Sequence, residues 1–133
     1  MFVVGDRMTR KVVTVSPADT LAVAAAKMEE GKFRRLPVLD KNKLVGIVSE
    51  FDLRRHADAL ESTLVEVAMT RDPITVITSE TPEHAANLMN QHKIGALPVL
   101  KGGKLAGIIT AKDLMMPEPR PLPGWDPGTR RRN

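Results

Sequence analysis

The chain has 133 residues, 42% of them apolar and 27% charged, with no cysteine and a net charge of +4. That length supports one compact domain or two small units sharing a core. Disulfides and thiolate metal sites are excluded, and no apolar run approaches the ~18 residues that a bilayer-spanning helix needs.

The N-terminal MFVVGDRMTR is too short in apolar residues for a secretory signal, so a cytoplasmic location and no membrane contact are expected. About half of the positive excess falls in residues 117–133, where Arg120, Arg130, Arg131 and Arg132 outnumber Glu118 and Asp126. Aromatics are too few for a base-stacking platform.

In chain order, the β-branched run from Val12 to Val15 predicts a short strand. A polar turn leads to TLAVAAAKMEEGK, where Leu21, Ala24, Ala25 and Met28 recur at helical spacing and Gly31 is the expected C-terminal stop. LPVL at 36–39 and KLVGIV at 43–48 predict two strands joined by DKN, which is hairpin chemistry. GIVSEFD at 46–52 ends the second strand and opens another helix.

Leu60 to Met69 is expected to be a helical connector, and from Ile74 to Ile77 the order starts again. A helix with Pro82 in its first turn carries Ala85, Leu88 and Met89 on one face. Strands LPVL (97–100) and KLAGII (104–109) flank KGG, and GIITAKD (107–113) opens the last helix. Residues 117–133 have the composition of a disordered or loosely attached tail.

Displacing the sequence by 61 positions aligns 8–53 with 69–114 without a gap, with 20 of 46 positions identical. The chain is an internal duplication. The organisation expected is one repeat over 1–60, a second over 61–116 and the tail over 117–133. Each repeat is a β-α-β-β-α unit. A unit this small is marginal alone, so the fold class is α+β (an α/β sandwich), with the two units packed sheet to sheet about a pseudo-twofold axis. That arrangement creates two equivalent clefts.

The duplicated motif suits a nucleotide. Gly46 allows a ligand or another backbone to approach the strand closely. Ser49 lies at the strand-to-helix junction and Asp52 in the first turn of the helix, where free N–H groups suit a phosphate. A serine hydroxyl donates to phosphate, and an aspartate accepts from a ribose diol. A simpler reading also stands: Ser49 with Asp52, and Thr110 with Asp113, are helix caps.

No catalytic constellation or cofactor loop accompanies the motif, so an enzyme is not expected and no metal site or catalytic cofactor is assigned. His84 and His92 are eight residues apart on one predicted helix, about 12 Å, too far to share a metal. Lys101-Gly-Gly-Lys104 reads as a hairpin turn rather than a phosphate loop.

Two tandem units carrying MT…TV, LPV and G-h-h-S/T-x-x-D resemble a pair of cystathionine β-synthase (CBS) domains, a Bateman module, over residues 3–116. The resemblance implies a regulatory adenosine ligand, AMP, ADP, ATP or S-adenosylmethionine. The motif hydroxyl would meet phosphate and the aspartate would hold ribose. Carried over by position, one cleft would use Ser49 and Asp52 with Arg34 and Arg35 as a phosphate clamp, and Thr70, Ile74, Ile94 and Gly95 around the base. The other would use Thr110 and Asp113 with Thr9, Val13 and Phe33. Gly95 and Ala96 replace the arginine pair there, so the Ser49 cleft is expected to be the stronger.

The function expected is a stand-alone regulatory module, forming a homodimer through its small-residue helices and signalling to an unidentified protein partner. The alternative is a nucleic-acid-binding module using Arg34, Arg35, Arg54, Arg55 and the arginine tail.

Overall fold

The computed structural model describes residues 2–116, so the expected tail at 117–133 lies outside the described residues. In order, the elements are α1 (Val4–Arg7), α2 (Leu21–Gly31), β1 (Arg35–Asp40), β2 (Lys43–Ser49), α3 (Glu50–Arg55), a 3-10 turn (Ala57–Ala59), α4 (Val65–Ala68), β3 (Thr70–Arg71), β4 (Val76–Ile77), α5 (Pro82–His92), β5 (Ala96–Lys101), β6 (Lys104–Thr110) and α6 (Ala111–Met115). The strands form two three-stranded sheets, β1-β2-β3 and β4-β5-β6, which meet where β2 approaches β6. This is the α+β architecture of two repeats that the sequence predicts. No helix of the described residues is long and apolar enough to cross a membrane.

The two long helices start alike. The side chains of Thr20 and Thr81 accept from the N–H groups of Val23 and His84, and Pro82 occupies the first turn of α5. The helix stop differs from the expectation. Gly31 is still helical, and the chain turns at Lys32, with φ 57°, as it does at Lys93, with φ 54°. Gly31 serves a different need: a Cβ there would fall 2.2 Å from Cε2 of Phe33. Phe33 N donates to Met28 O at 2.9 Å, which folds the ring back over the glycine.

Both hairpins close on two-residue turns with positive φ, at Lys41-Asn42 (51°, 68°) and Gly102-Gly103 (59°, 79°). Lys101-Gly-Gly-Lys104 is therefore a turn. The first predicted strand is less regular. Val76–Ile77 pairs in parallel with β5, whereas Val15 makes only an isolated bridge to Val38. The cause is Pro17. Its counterpart Thr78 extends the pairing by donating to Leu100 O at 3.2 Å, and proline has no N–H to do the same. The predicted connector from Leu60 to Met69 is helical only at Val65–Ala68.

The cores show how the repeats are joined. One contains Val15, Leu21, Ala24, Met28, Leu36, Val38 and Val48, and adds Val65 and Met69. The other contains Val76, Ala85, Met89, Leu97, Val99 and Ile109, and adds Val4 and Met8. Each repeat thus lends its leading helix to the core of the other. Hydrogen bonds fix the exchange. Val4 and Gly5 donate to Glu80 O and Thr78 O, both at 2.9 Å, while Val65 and Glu66 donate to Asp19 O and Pro17 O at 2.8 and 3.1 Å. Thr70 pairs with Ile47 in β2, and Thr9 bridges to Ile108 in β6. Arg7 ties α1 further to the second repeat through the carbonyl oxygens of Asp113 and Met116. Burying each lent valine or methionine contributes ~1.5–3 kcal/mol, a large part of the ~5–15 kcal/mol net stability of a typical domain.

Candidate functional site

The motif glycines serve this exchange. A Cβ on Gly46 would fall 2.5 Å from Met69 Sδ and 2.9 Å from the Thr70 carbonyl. On Gly107 it would fall 2.7 Å from Met8 Sδ and 2.6 Å from the Thr9 carbonyl. In both repeats the strand glycine is approached closely by the backbone of the opposite repeat.

The hydroxyls and carboxylates close capping boxes. Ser49 N donates to Asp52 Oδ2 at 2.8 Å, and Asp52 N donates back to Ser49 Oγ at 3.3 Å. Thr110 N donates to Asp113 Oδ2 at 2.9 Å, and Asp113 N to Thr110 Oγ1 at 3.2 Å. The helix starts are also less open than expected, because Glu50 N donates to Arg34 O at 2.8 Å and Ala111 N to Gly95 O at 2.9 Å. Fewer backbone N–H groups are therefore free beside these motifs than the sequence suggests.

Two clefts lie between the repeats. The first, of about 480 Å³, has Val13, Phe33 and Ile108 as apolar wall, with Thr9 and Thr110 beside them. Its cations are Lys32, Arg34, Arg35 and Lys112. The second, of about 430 Å³, holds Ser49, Asp52, Thr70 and Ile94, with Arg35, Arg55 and Lys93 as cations.

The grouping predicted from sequence differs at three residues. Arg34 lines the Thr110 cleft, not the Ser49 cleft. Ile74 packs against the second core. Asp113 is outside the wall of its cleft, its carboxylate engaged with Thr110 N. Both arginines line the Thr110 cleft, and Arg35, the first residue of β1, also reaches the Ser49 cleft, whereas Arg34 in the bend before the strand does not. Ser49, Asp52, Arg35, Thr70, Ile94 and Gly95 do come together, as do Thr9, Val13, Phe33 and Thr110.

A family model for the CBS domain matches residues 4–59 and again 64–116. The chain belongs to the CBS domain family. Among solved structures, it resembles CBSX2 from Arabidopsis thaliana in complex with AMP, at 34% identity and TM-score 0.74 over 86% of this chain and 93% of that one. It also resembles the CBS domain pair of protein MJ0100 in complex with 5'-methylthioadenosine and S-adenosyl-L-methionine, at 28% identity and TM-score 0.78 over 84% of this chain and 91% of that one. A curated relative, the inosine-5'-monophosphate dehydrogenase of Korarchaeum cryptofilum (strain OPF8), is 42% identical over 114 residues. That match covers 85% of this chain and only 24% of the enzyme's length.

Within this CBS pair, Arg35 is the most constrained cation. It is half-buried and lines both clefts. Its guanidinium lies 3.8 Å from where a Cβ of Gly95 would be. Burial above all, and then the charge of Arg34, push its pKa down, with Glu50 acting in the opposite sense. Since a guanidinium stays charged in proteins, Arg35 is a cation held partly out of water and near another cation, a setting that favours an anion.

Sequence reasoning missed Lys32, Lys93, Ile47 and Ile108 in the cleft walls. A signal for them existed, since Lys32 matches Lys93 and Ile47 matches Ile108 at the repeat offset. A third hollow of about 470 Å³, lined by Met28, Glu29, Glu50 and Leu53, adjoins the Thr110 cleft and shares Phe33 and Arg34 with it. Among the described residues, no cluster of three or more histidine, aspartate or glutamate side chains could hold a metal.

Proposed function

We propose that this CBS pair is a regulatory module that binds an adenosine-containing ligand, AMP, ADP, ATP or S-adenosylmethionine, in its inter-repeat clefts. The observation that carries the reading is the Thr110 cleft, which combines an apolar wall of Val13, Phe33 and Ile108 with four cations. A purine fits against the wall, and phosphate oxygens suit the paired guanidinium groups. The AMP complex of the similar CBSX2 supports the same ligand class.

The stronger site in this reading is the Thr110 cleft. It reverses the ranking drawn from sequence, because Arg34 lies there. Ser49, Asp52, Thr70 and Ile94 form the second site. A ligand touching both repeats would favour one relative placement of them, and a homodimer or a protein partner would read that change. No catalytic cofactor enters this scheme. Nucleic-acid binding is the weaker reading, because Arg34 and Arg35 line the Thr110 cleft, and Arg35 and Arg55 the Ser49 cleft, rather than one open basic face.

The test is a thermal-shift panel of AMP, ADP, ATP and S-adenosylmethionine against guanosine counterparts, on wild type and Arg34→Ala. A ligand at a hundred times its Kd stabilises by ~2.7 kcal/mol. Stabilisation by adenosine compounds, reduced in Arg34→Ala, supports the reading. No stabilisation at millimolar concentrations would refute it.

A further inference from the structure

Arg35 and Gly95 line both clefts, so the two sites share a wall. The second repeat has no arginine at the positions matching Arg34 and Arg35, where Gly95 and Ala96 stand instead. The space beside Gly95 is where the Arg35 guanidinium lies. One guanidinium thus stands between two anion sites.

We propose that Arg35 is a shared phosphate ligand: the first anion to bind draws it into the Thr110 cleft, and the Ser49 cleft then binds its own anion more weakly. The inference rests on the reading that the clefts take anionic nucleotides, and turns two separate sites into one coupled pair.

Three observations set the direction. The Thr110 cleft offers Arg34, Lys32 and Lys112 beside Arg35, with no carboxylate among the described residues of its wall. The Ser49 cleft has the Asp52 carboxylate in its wall, and among the described residues retains Arg55 and Lys93 as cations without Arg35. A guanidinium presents its donors in one rigid plane, so engaging one phosphate through two of them turns that face away from a second site. Arg35 is half-buried, with the like charge of Arg34 acting on it, so an anion in the Thr110 cleft relieves both.

Calorimetric titration with ADP, and in parallel with inorganic pyrophosphate, tests this. Wild type should show two classes of site differing by about tenfold or more, the size of one charge-assisted contact. Ala111→Trp with Arg34→Ala fills the Thr110 cleft at an exposed position outside the Ser49 cleft and removes its own guanidinium. The remaining site should then bind about tenfold more tightly than the second wild-type site, and adding Arg35→Met should cancel that gain. Unfolding midpoints of the free variants check that each is folded.

The proposal is overturned if the Ser49 cleft binds equally well whether or not the Thr110 cleft is blocked, or if Arg35→Met changes nothing in the blocked protein. Mutually strengthened sites would mean that Arg35 bridges two anions, and would overturn it too. If ADP fills both clefts without regard to Arg35, the coupling fails and the nucleotide reading stands. If pyrophosphate shows the coupling but no adenosine compound binds, the nucleotide reading fails and the coupling stands. If neither anion binds, both fail.

Discussion

Met69 rests on Gly46, its sulfur 2.5 Å from where a Cβ would project, and Met8 rests on Gly107 in the same way at 2.7 Å. The methionines are flexible at their ends, but each Cβ would also meet a backbone carbonyl, Thr70 O at 2.9 Å or Thr9 O at 2.6 Å. Gly46→Ala and Gly107→Ala must therefore move a backbone segment, not merely a side chain. Each should cost ~1–3 kcal/mol, the usual range for overpacking. Urea unfolding of the two variants checks this, and midpoints equal to wild type would show that the crossing is looser than described.

The exchange of leading helices makes an unusual forecast about where damage appears. Met8 belongs to repeat one in sequence, but it is buried in the core with Leu97, Val99 and Ile109. Met8→Ala should cost ~2–5 kcal/mol and expose β5 and β6 to hydrogen exchange before β1 and β2. Met69→Ala should do the converse, through Leu36, Val38 and Val48. Greater loss of protection in the repeat that contains the mutated residue in sequence would contradict the exchange.

Legibility in the sequence followed the range of the interactions. The repeat, the helices around Met28 and Met89 and both hairpins rest on local periodicity and turn chemistry, and these read directly. The exchange does not, because nothing local in MTR tells which sheet Thr9 or Thr70 will join. The placing of the arginines is illegible for a related reason. The family resemblance points to Arg34 and Arg35 as one phosphate clamp, but nothing local in FRRLPV tells which cleft each lines. Ile74 packs against the second core, and a β-branched residue beside a cleft and one against a core look alike in sequence. The capping reading of Ser49 and Asp52 was legible because it needs only the spacing of three residues.

Those caps separate two roles in one pair of residues. Ser49→Ala and Thr110→Ala remove the acceptors of Asp52 N and Asp113 N and should each cost ~1 kcal/mol without any ligand present. Ser49→Thr and Thr110→Ser keep the oxygen and should cost far less. Thermal unfolding of the free proteins decides it, and any ligand-binding loss in the alanine variants counts only beyond this stability change. If the free alanine variants matched wild type, the boxes would contribute nothing measurable.

Arg35 gives the last prediction, and its sign comes from the direction of its pKa. Burial first, and Arg34 second, hold that pKa below its ordinary value. For a base, a lower pKa in the folded state means that its charge opposes folding wherever the charge is present. The penalty would fade only as pH rose through the lowered pKa of a group that stays protonated throughout the neutral range. Between about pH 5 and pH 9 the penalty is therefore constant. Arg35→Met keeps the apolar stem and removes the charge, so the free variant should unfold at the same temperature as wild type or slightly higher. The difference between the two should be flat across that pH range. Pyrophosphate should raise the midpoint of wild type more than that of the variant, because only wild type gains a partner for the guanidinium. Scanning calorimetry at several pH values, with and without pyrophosphate, reads all three. A variant several degrees less stable than wild type would show that Arg35 already has a stabilising partner in the free protein, and would remove its demand for an anion.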